Sequence, residues 1–172
     1  LIGKFNRDKY FWTGEEETRS FAEWRLLAKM AEFELRVPRP AAARYSRRGS
    51  FYTADIVTVR IPEVRSLSQV ITSPQDVEFW QKLGVAIRHF HEVGVYHADM
   101  NAYNLQIDAE GELWMLDFDR GELRQPGPWQ QQTLNRLHRS LEKIRRLDPK
   151  IQFRRPQWKA LLEAYFDASR SA

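Results

Sequence analysis

The chain contains no cysteine. That excludes a disulfide framework and any thiolate metal site, and it fits a reducing compartment. It also lacks a long hydrophobic run: charges interrupt every apolar segment well before the roughly 20 residues needed to cross a bilayer. The start does not follow the signal-peptide order of basic residues, apolar stretch and small-residue cleavage site. Because the first residue is Leu rather than Met, position 1 is read as an internal start with sequence upstream. Internal repeats and low-complexity tracts are missing too. What is present is one domain's worth of chain, 172 residues with 42% hydrophobic and 13% aromatic content, enough for the core of a soluble globular protein. A net charge of +4, with arginines clustered at Arg47-Arg48, Arg139, Arg145-Arg146 and Arg154-Arg155, suits phosphate-bearing partners or an anionic membrane surface, although a solvated face accounts for scattered basic residues equally well. Neither a nucleic-acid partner nor a protein partner is indicated.

Hydrophobic periodicity predicts the elements. Phe21, Trp24, Leu27, Ala28 and Ala31 recur at spacings of three and four, so residues 15–31 read as an amphipathic helix entered through Thr13-Gly14. Val37-Pro38-Arg39-Pro40 is a linker, since each proline lacks a donor and forces its predecessor extended. Two β-rich runs follow, 41–45 and 51–61, joined by a turn over 46–50. The second is β-branched on both faces and reads as an inner strand ended by Pro62-Glu63. Ser73 as N-cap, Pro74 at the first helical position and Asp76 in the first turn open the longest predicted helix, lined by Val77, Trp80, Leu83, Gly84, Ile87, Phe90 and His91 and stopped by Gly94. Two short strands, 105–107 and 113–116, flank the turn Asp108-Ala109-Glu110-Gly111. Helices are expected again from Gln130 to Leu147 and from Pro156 to Ser169.

The chemistry concentrates in one stretch. His97-Ala98-Asp99-Met100-Asn101-Ala102-Tyr103-Asn104 has the form His-x-Asp-x-x-x-x-Asn, and Asp117-Phe118-Asp119 follows the hairpin, which is how kinase-type phosphotransferases lay out their base and metal ligands. Asp99 is placed against an acceptor hydroxyl. Asn104 offers a neutral carbonyl oxygen and Asp117 an anionic one, together a site for a hard cation such as magnesium. His97 is expected to hold the backbone of the Asp117 loop. Singly, each of these is as well explained by a cap or a turn; jointly, three residue types at two spacings around a hairpin point to phosphoryl transfer. Glu23, in mid-helix, matches the glutamate that pins a phosphate-gripping basic residue, or else is a surface glutamate paired with Arg19. The backbone at Arg60 and Ile61, before the Pro62-Glu63 bend, is positioned to meet an adenine edge, while Tyr10 to Thr13 reads as packing. Ala98 and Asn101 stand where protein kinases keep Arg and Lys, and no activation segment follows Asp119. An ordinary protein kinase is therefore excluded.

Arg19-Ser20-Phe21-Ala22-Glu23, residues 37–44, Ala54-Asp55-Ile56-Val57-Thr58, residues 97–104, Leu116-Asp117-Phe118-Asp119-Arg120-Gly121 and residues 134–143 together resemble the Kdo kinases, over nearly the whole chain. The resemblance implies an α+β, protein-kinase-like two-lobed fold, with 1–63 as an incomplete β-rich N-terminal lobe carrying the glutamate helix and hinge, and 64–172 as a mainly helical catalytic lobe. It implies ATP and Mg2+ as cofactors, the 4-hydroxyl of 3-deoxy-D-manno-octulosonic acid (Kdo) on a lipid A precursor as acceptor, and a peripheral place on the cytoplasmic face of a Gram-negative inner membrane. It assigns Asp99 to catalysis, Asn104 and Asp117 to the metal, and Glu23, Arg60, Ile61, Asn104 and Asp117 to the nucleotide. The family's glycine-rich stretch and phosphate-gripping basic residue precede Leu1-Ile2-Gly3-Lys4, and Lys4 is not given that role. Arg120, Arg136, Arg139 and Arg145 are expected to meet acidic sugar, lipid phosphate or the anionic leaflet. A heptose or other small-alcohol acceptor, and a catalytically dead kinase-shaped binding module, remain as alternatives.

Overall fold

The computed structural model describes residues 9–167, so Lys4 and the expected end of the last helix at Ser169 lie outside the described residues. The first strand, β1 (Tyr10–Phe11), precedes helix α1 (Arg19–Glu32), after which β2 (Pro40–Arg48) and β3 (Phe51–Thr58) form a long antiparallel hairpin. The turn is tighter than the sequence suggests. Pairing continues to Arg48 opposite Phe51, leaving Gly49 and Ser50 to reverse the chain, with Gly49 at φ +63°. The order is β1-β3-β2, so β3 is the inner strand as expected. Its faces are not both covered, however: Val57 is 57% exposed and of the strand only Tyr52 is buried.

Helix α1 starts later than Thr13-Gly14. The Thr18 hydroxyl and amide both turn back to the Glu15 carbonyl, at 2.8 and 3.0 Å, and the helix begins at Arg19. Its buried residues are Ser20, Leu26, Leu27 and Met30, while Ala31 faces solvent. The stripe is rotated because α1 is shared between two neighbours. The Ser20 hydroxyl donates to the Arg44 carbonyl of β2 at 3.0 Å, and Leu26 packs where a side chain on Gly121 would have to sit.

The rest of the chain builds the helical part: β4 (Arg65–Ser66), α2 (Leu67–Val70), α3 (Val77–Glu92), β5 (Val95–Tyr96), β6 (Leu105–Ile107), β7 (Leu113–Met115), β8 (Glu122–Leu123), α4 (Trp129–Leu147) and α5 (Arg155–Asp167). The strands form a β4-β6-β7 sheet and a β5-β8 ladder. Helix α3 starts at Val77, not Pro74. The cap is Asp76, whose carboxylate accepts from the Phe79 amide at 2.8 Å, and Val77 is solvent-facing rather than part of the apolar stripe. Helix α4, with 19 residues against 16 in α3, is the longest among the described residues. Trp80, Leu105, Leu134, Leu141, Phe153 and Leu161 belong to one contiguous core spanning α3, α4, α5 and the β6-β7 hairpin, extended to α1 through Leu26, Leu27 and Met30. No described helix is long and apolar enough to cross a membrane. The whole is a mixed α/β arrangement.

Candidate active site

The loop after β5 and the end of β7 meet through His97. This ring is buried, and the Asp99 amide donates to its Nδ1 at 3.1 Å, so Nδ1 is the acceptor and Nε2–H donates to the Leu116 carbonyl at 2.9 Å. Burial pushes the imidazole below its ordinary pKa and keeps it neutral, which this pairing requires. The expectation that His97 holds the backbone beside Asp117 is met.

Asn104 closes the same junction from the other side. Its side-chain amide donates to the Asp99 backbone carbonyl at 3.0 Å, and its backbone carbonyl accepts from the Leu116 amide at 2.9 Å. The β6-β7 register, with Leu105 opposite Met115, continues to this pair and sets Asn104 beside the residue preceding Asp117. Asp117 then leaves the strand at φ +63°, a left-handed conformation that a short polar side chain tolerates better than a bulky one. The turn is held from several directions. The Gly121 amide donates to the Phe118 carbonyl at 2.7 Å, the Phe118 amide donates to Glu23 Oε1 at 3.2 Å, and Arg19 pairs with Asp119.

Asp99 and Asp117 both line a polar cleft of about 620 Å³. Both carboxylate oxygens of Asp99 are engaged: Arg136 Nη1 donates to Oδ1 at 2.7 Å and Asn101 Nδ2 to Oδ2 at 3.1 Å. Asp117 is exposed and its carboxylate has no hydrogen bond or ion pair among the described residues. Glu23 lies near it. Its carboxyl is raised above the ordinary value, first by burial and next by the charge of Asp117. Arg60 and Ile61 line a separate hollow of about 330 Å³ just beyond β3, shared with Pro38, Thr58 and Leu116, so it adjoins the strand end that carries Asp117. Of the expected anion-contacting arginines, Arg120 and Arg136 line the Asp99 cleft, whereas Arg145 is tied to Glu142 at 2.7 Å.

With that geometry in place, the comparison with known families is decisive: a lipopolysaccharide kinase (Kdo/WaaP) profile matches residues 1–165. The chain belongs to that family. Proteins named 3-deoxy-D-manno-octulosonic acid kinase from Xanthomonas axonopodis pv. citri (strain 306), Stenotrophomonas maltophilia (strain K279a) and Xylella fastidiosa (strain M12) are each 44% identical to it over 146 residues, 84% of this chain. The chain spans 59% of the length of these relatives.

Within this member of the Kdo/WaaP family, three contacts at the site were not foreseen from the sequence. Asn101 Oδ1 accepts from the amides of Tyr103 at 2.8 Å and Asn104 at 3.1 Å, an Asx turn that shapes the loop; an Asn two residues before a turn was the available signal. The pairings Arg136–Asp99 and Arg19–Asp119 join residues 37 and 100 positions apart and leave no local signal.

Proposed function

We propose that this chain carries the catalytic part of a kinase that uses ATP and Mg2+ to phosphorylate the 4-hydroxyl of Kdo on a lipid A precursor, at the cytoplasmic face of the inner membrane. The observation that carries the reading is the shared cleft of Asp99 and Asp117, with Asn104 bound to the backbone on both sides of it. The names and the 44% identity of the curated relatives support Kdo as the acceptor. In this reading residues 1–63 form the partial N-terminal lobe and 64–172 the catalytic lobe of a two-lobed kinase fold.

Asp99 receives the acceptor hydroxyl. Its carboxylate is oriented by Arg136 and Asn101, and the lone pairs these leave free accept the proton as the phosphoryl group transfers. The donors at the cation site fit magnesium: one uncompensated carboxylate, Asp117, and the Asn104 amide oxygen, whose nitrogen is already committed to the Asp99 carbonyl. Asp117 and Asn104 would hold such an ion, which would supply positive charge for the transferring phosphoryl group. Glu23, through the Phe118 amide, holds the Asp117 turn in place. The hollow at Arg60 and Ile61 takes the adenine edge through backbone groups.

The test is transfer of labelled phosphate from ATP to a Kdo-bearing lipid A precursor by the full-length gene product, with a heptose-bearing core acceptor as comparison. Asp99→Asn is expected to lower kcat by about 10²- to 10⁴-fold, the usual contribution of a positioned base, while leaving the thermal midpoint unchanged. Undiminished transfer by the Asn variant, or preference for the heptose acceptor, overturns the assignment.

A further inference from the structure

A second groove opens on the other side of Asp99, between the 99–104 loop and α4, with a volume of about 530 Å³. Its walls are fixed at two rungs: Arg136 is paired with Asp99 at 2.7 Å, and the Ala102 amide donates to the Ser140 hydroxyl at 3.2 Å. Beyond Arg136, the α4 face lining it carries Arg139 and Lys143, both exposed and neither with a hydrogen bond or counter-ion among the described residues. The contrast along the same helix is sharp. Arg145 is paired with Glu142, and Arg146 donates to the Glu142 carbonyl at 3.4 Å.

The charge count follows directly. Asp99 is the groove's one acid and is neutralised by Arg136, leaving two uncompensated cations. At 1.5 Å per residue, Arg139 and Lys143 lie about 5 and 10 Å along the helix from Arg136. An anion held there sits within one or two sugar lengths of a hydroxyl at Asp99. The far rim is apolar, formed by Leu147, 73% exposed, and by Tyr103, 59% exposed.

We infer that this groove is the acceptor subsite, in which Arg139 and Lys143 hold an anionic group of the acceptor while its hydroxyl meets Asp99. The inference rests on the kinase reading above and adds to it the residues that recognise the acceptor. A guanidinium and an ammonium suit carboxylate and phosphate alike. Both are available on an acidic sugar linked to a phosphorylated lipid. The apolar rim then receives the lipid-proximal part of the same molecule.

The experiment measures direct binding to the full-length protein of three probes: the free sugar acid, its conjugate with a phosphorylated lipid A precursor, and that conjugate after phosphate removal. Arg139→Gln combined with Lys143→Gln is expected to weaken binding of the phosphorylated conjugate by about tenfold or more and to flatten its salt dependence, as loss of charge-assisted contacts requires. Arg145→Gln is expected to leave it within about twofold, since that side chain is already paired. ATP affinity and thermal midpoint stay at the wild-type values in both variants. If the free sugar acid is weakened as much as the conjugate, the anion is the carboxylate; if the loss disappears on dephosphorylation, it is the phosphate. Equal binding of all probes by wild type and double variant overturns the subsite, and so does a loss that extends to ATP. Wild-type protein that binds the conjugate through these residues but transfers no phosphate would instead remove the kinase reading and leave the groove standing.

Discussion

His91 holds its ring between α3, α4 and α5 with both nitrogens satisfied. The Thr133 hydroxyl gives its proton to the Gln130 carbonyl at 2.8 Å, so Thr133 accepts from His91 Nε2–H at 3.2 Å, and the Tyr165 hydroxyl donates to Nδ1 at 2.7 Å. Only the neutral ring fits this pattern. Burial, with a smaller contribution from the Arg88 charge, lowers its pKa from 6.5 to about 3. The sign follows from linkage: between pH 6.5 and 3 the unfolded chain takes up a proton that the folded one refuses, so stability falls as pH falls, by up to about 1.4 kcal/mol per pH unit. His91→Gln keeps a donor and an acceptor but does not titrate. Urea unfolding at pH 7 and at pH 4.5 is expected to show a clearly smaller loss of stability on acidification in the variant than in the wild type. Parallel pH dependence in the two would show that His91 does not carry this part of the acid limb.

At the level of elements, helices and hairpins follow from local pattern, while their ends and faces depend on distant neighbours. The β6-β7 hairpin was legible because Asp108-Ala109-Glu110-Gly111 carries its own turn chemistry: Asp108 Oδ1 accepts from the Glu110 and Glu112 amides, and Gly111 takes φ +82°. The start of α3 misled because Ser73-Pro74 and Asp76 are both good openings, and only the fold selects the Asp76 carboxylate as the cap. Gly84 illustrates the other limit. The apolar stripe places it inward, but nothing local shows that α5 passes so close that a Cβ there would lie 2.2 Å from the Leu161 carbonyl oxygen and 3.1 Å from the Tyr165 nitrogen. Both are backbone atoms, which cannot swing aside. Gly84→Ala gains about 1 kcal/mol of helix propensity but forces α3 and α5 apart at a cost of about 3 kcal/mol or more, so the clash wins. A urea midpoint clearly below wild type is expected; an Ala variant of equal stability would mean the helices are not in this close contact.

Across the whole molecule, α1 is the link between the β1-β3-β2 sheet and the cleft of Asp99 and Asp117. On one side the Arg19 amide donates to the Tyr52 hydroxyl at 3.1 Å and Ser20 to the Arg44 carbonyl; on the other, Arg19 pairs with Asp119 and Glu23 accepts from the Phe118 amide. The sequence offers Arg19 and Glu23 as a local pair four residues apart, and the fold instead sends each to a different residue of one turn about a hundred positions away, because α1 lies against the turn that follows β7. Spacing alone singles out Asp99, Asn104 and Asp117, two of which line one cleft while Asn104 ties the backbone beside it, whereas the support of the Asp117 turn leaves no mark in the local sequence. The consequence is mechanical: the left-handed Asp117 keeps its unusual backbone conformation only while the turn is clamped. Glu23→Ala leaves the Phe118 amide without its acceptor, a loss worth about 1–3 kcal/mol if the group stays buried, and it also removes the charge that crowds Asp117. Hydrogen exchange at Phe118 and through Gly121 is then expected to accelerate by about tenfold or more, since 1.4 kcal/mol corresponds to a factor of ten in a local opening equilibrium. Amides in the β2-β3 hairpin, which owe their protection to each other, should exchange as before. Unchanged exchange at Phe118 would mean the clamp lies elsewhere, and a matching rise across the hairpin would mean that α1 holds the sheet together rather than coupling it to the cleft.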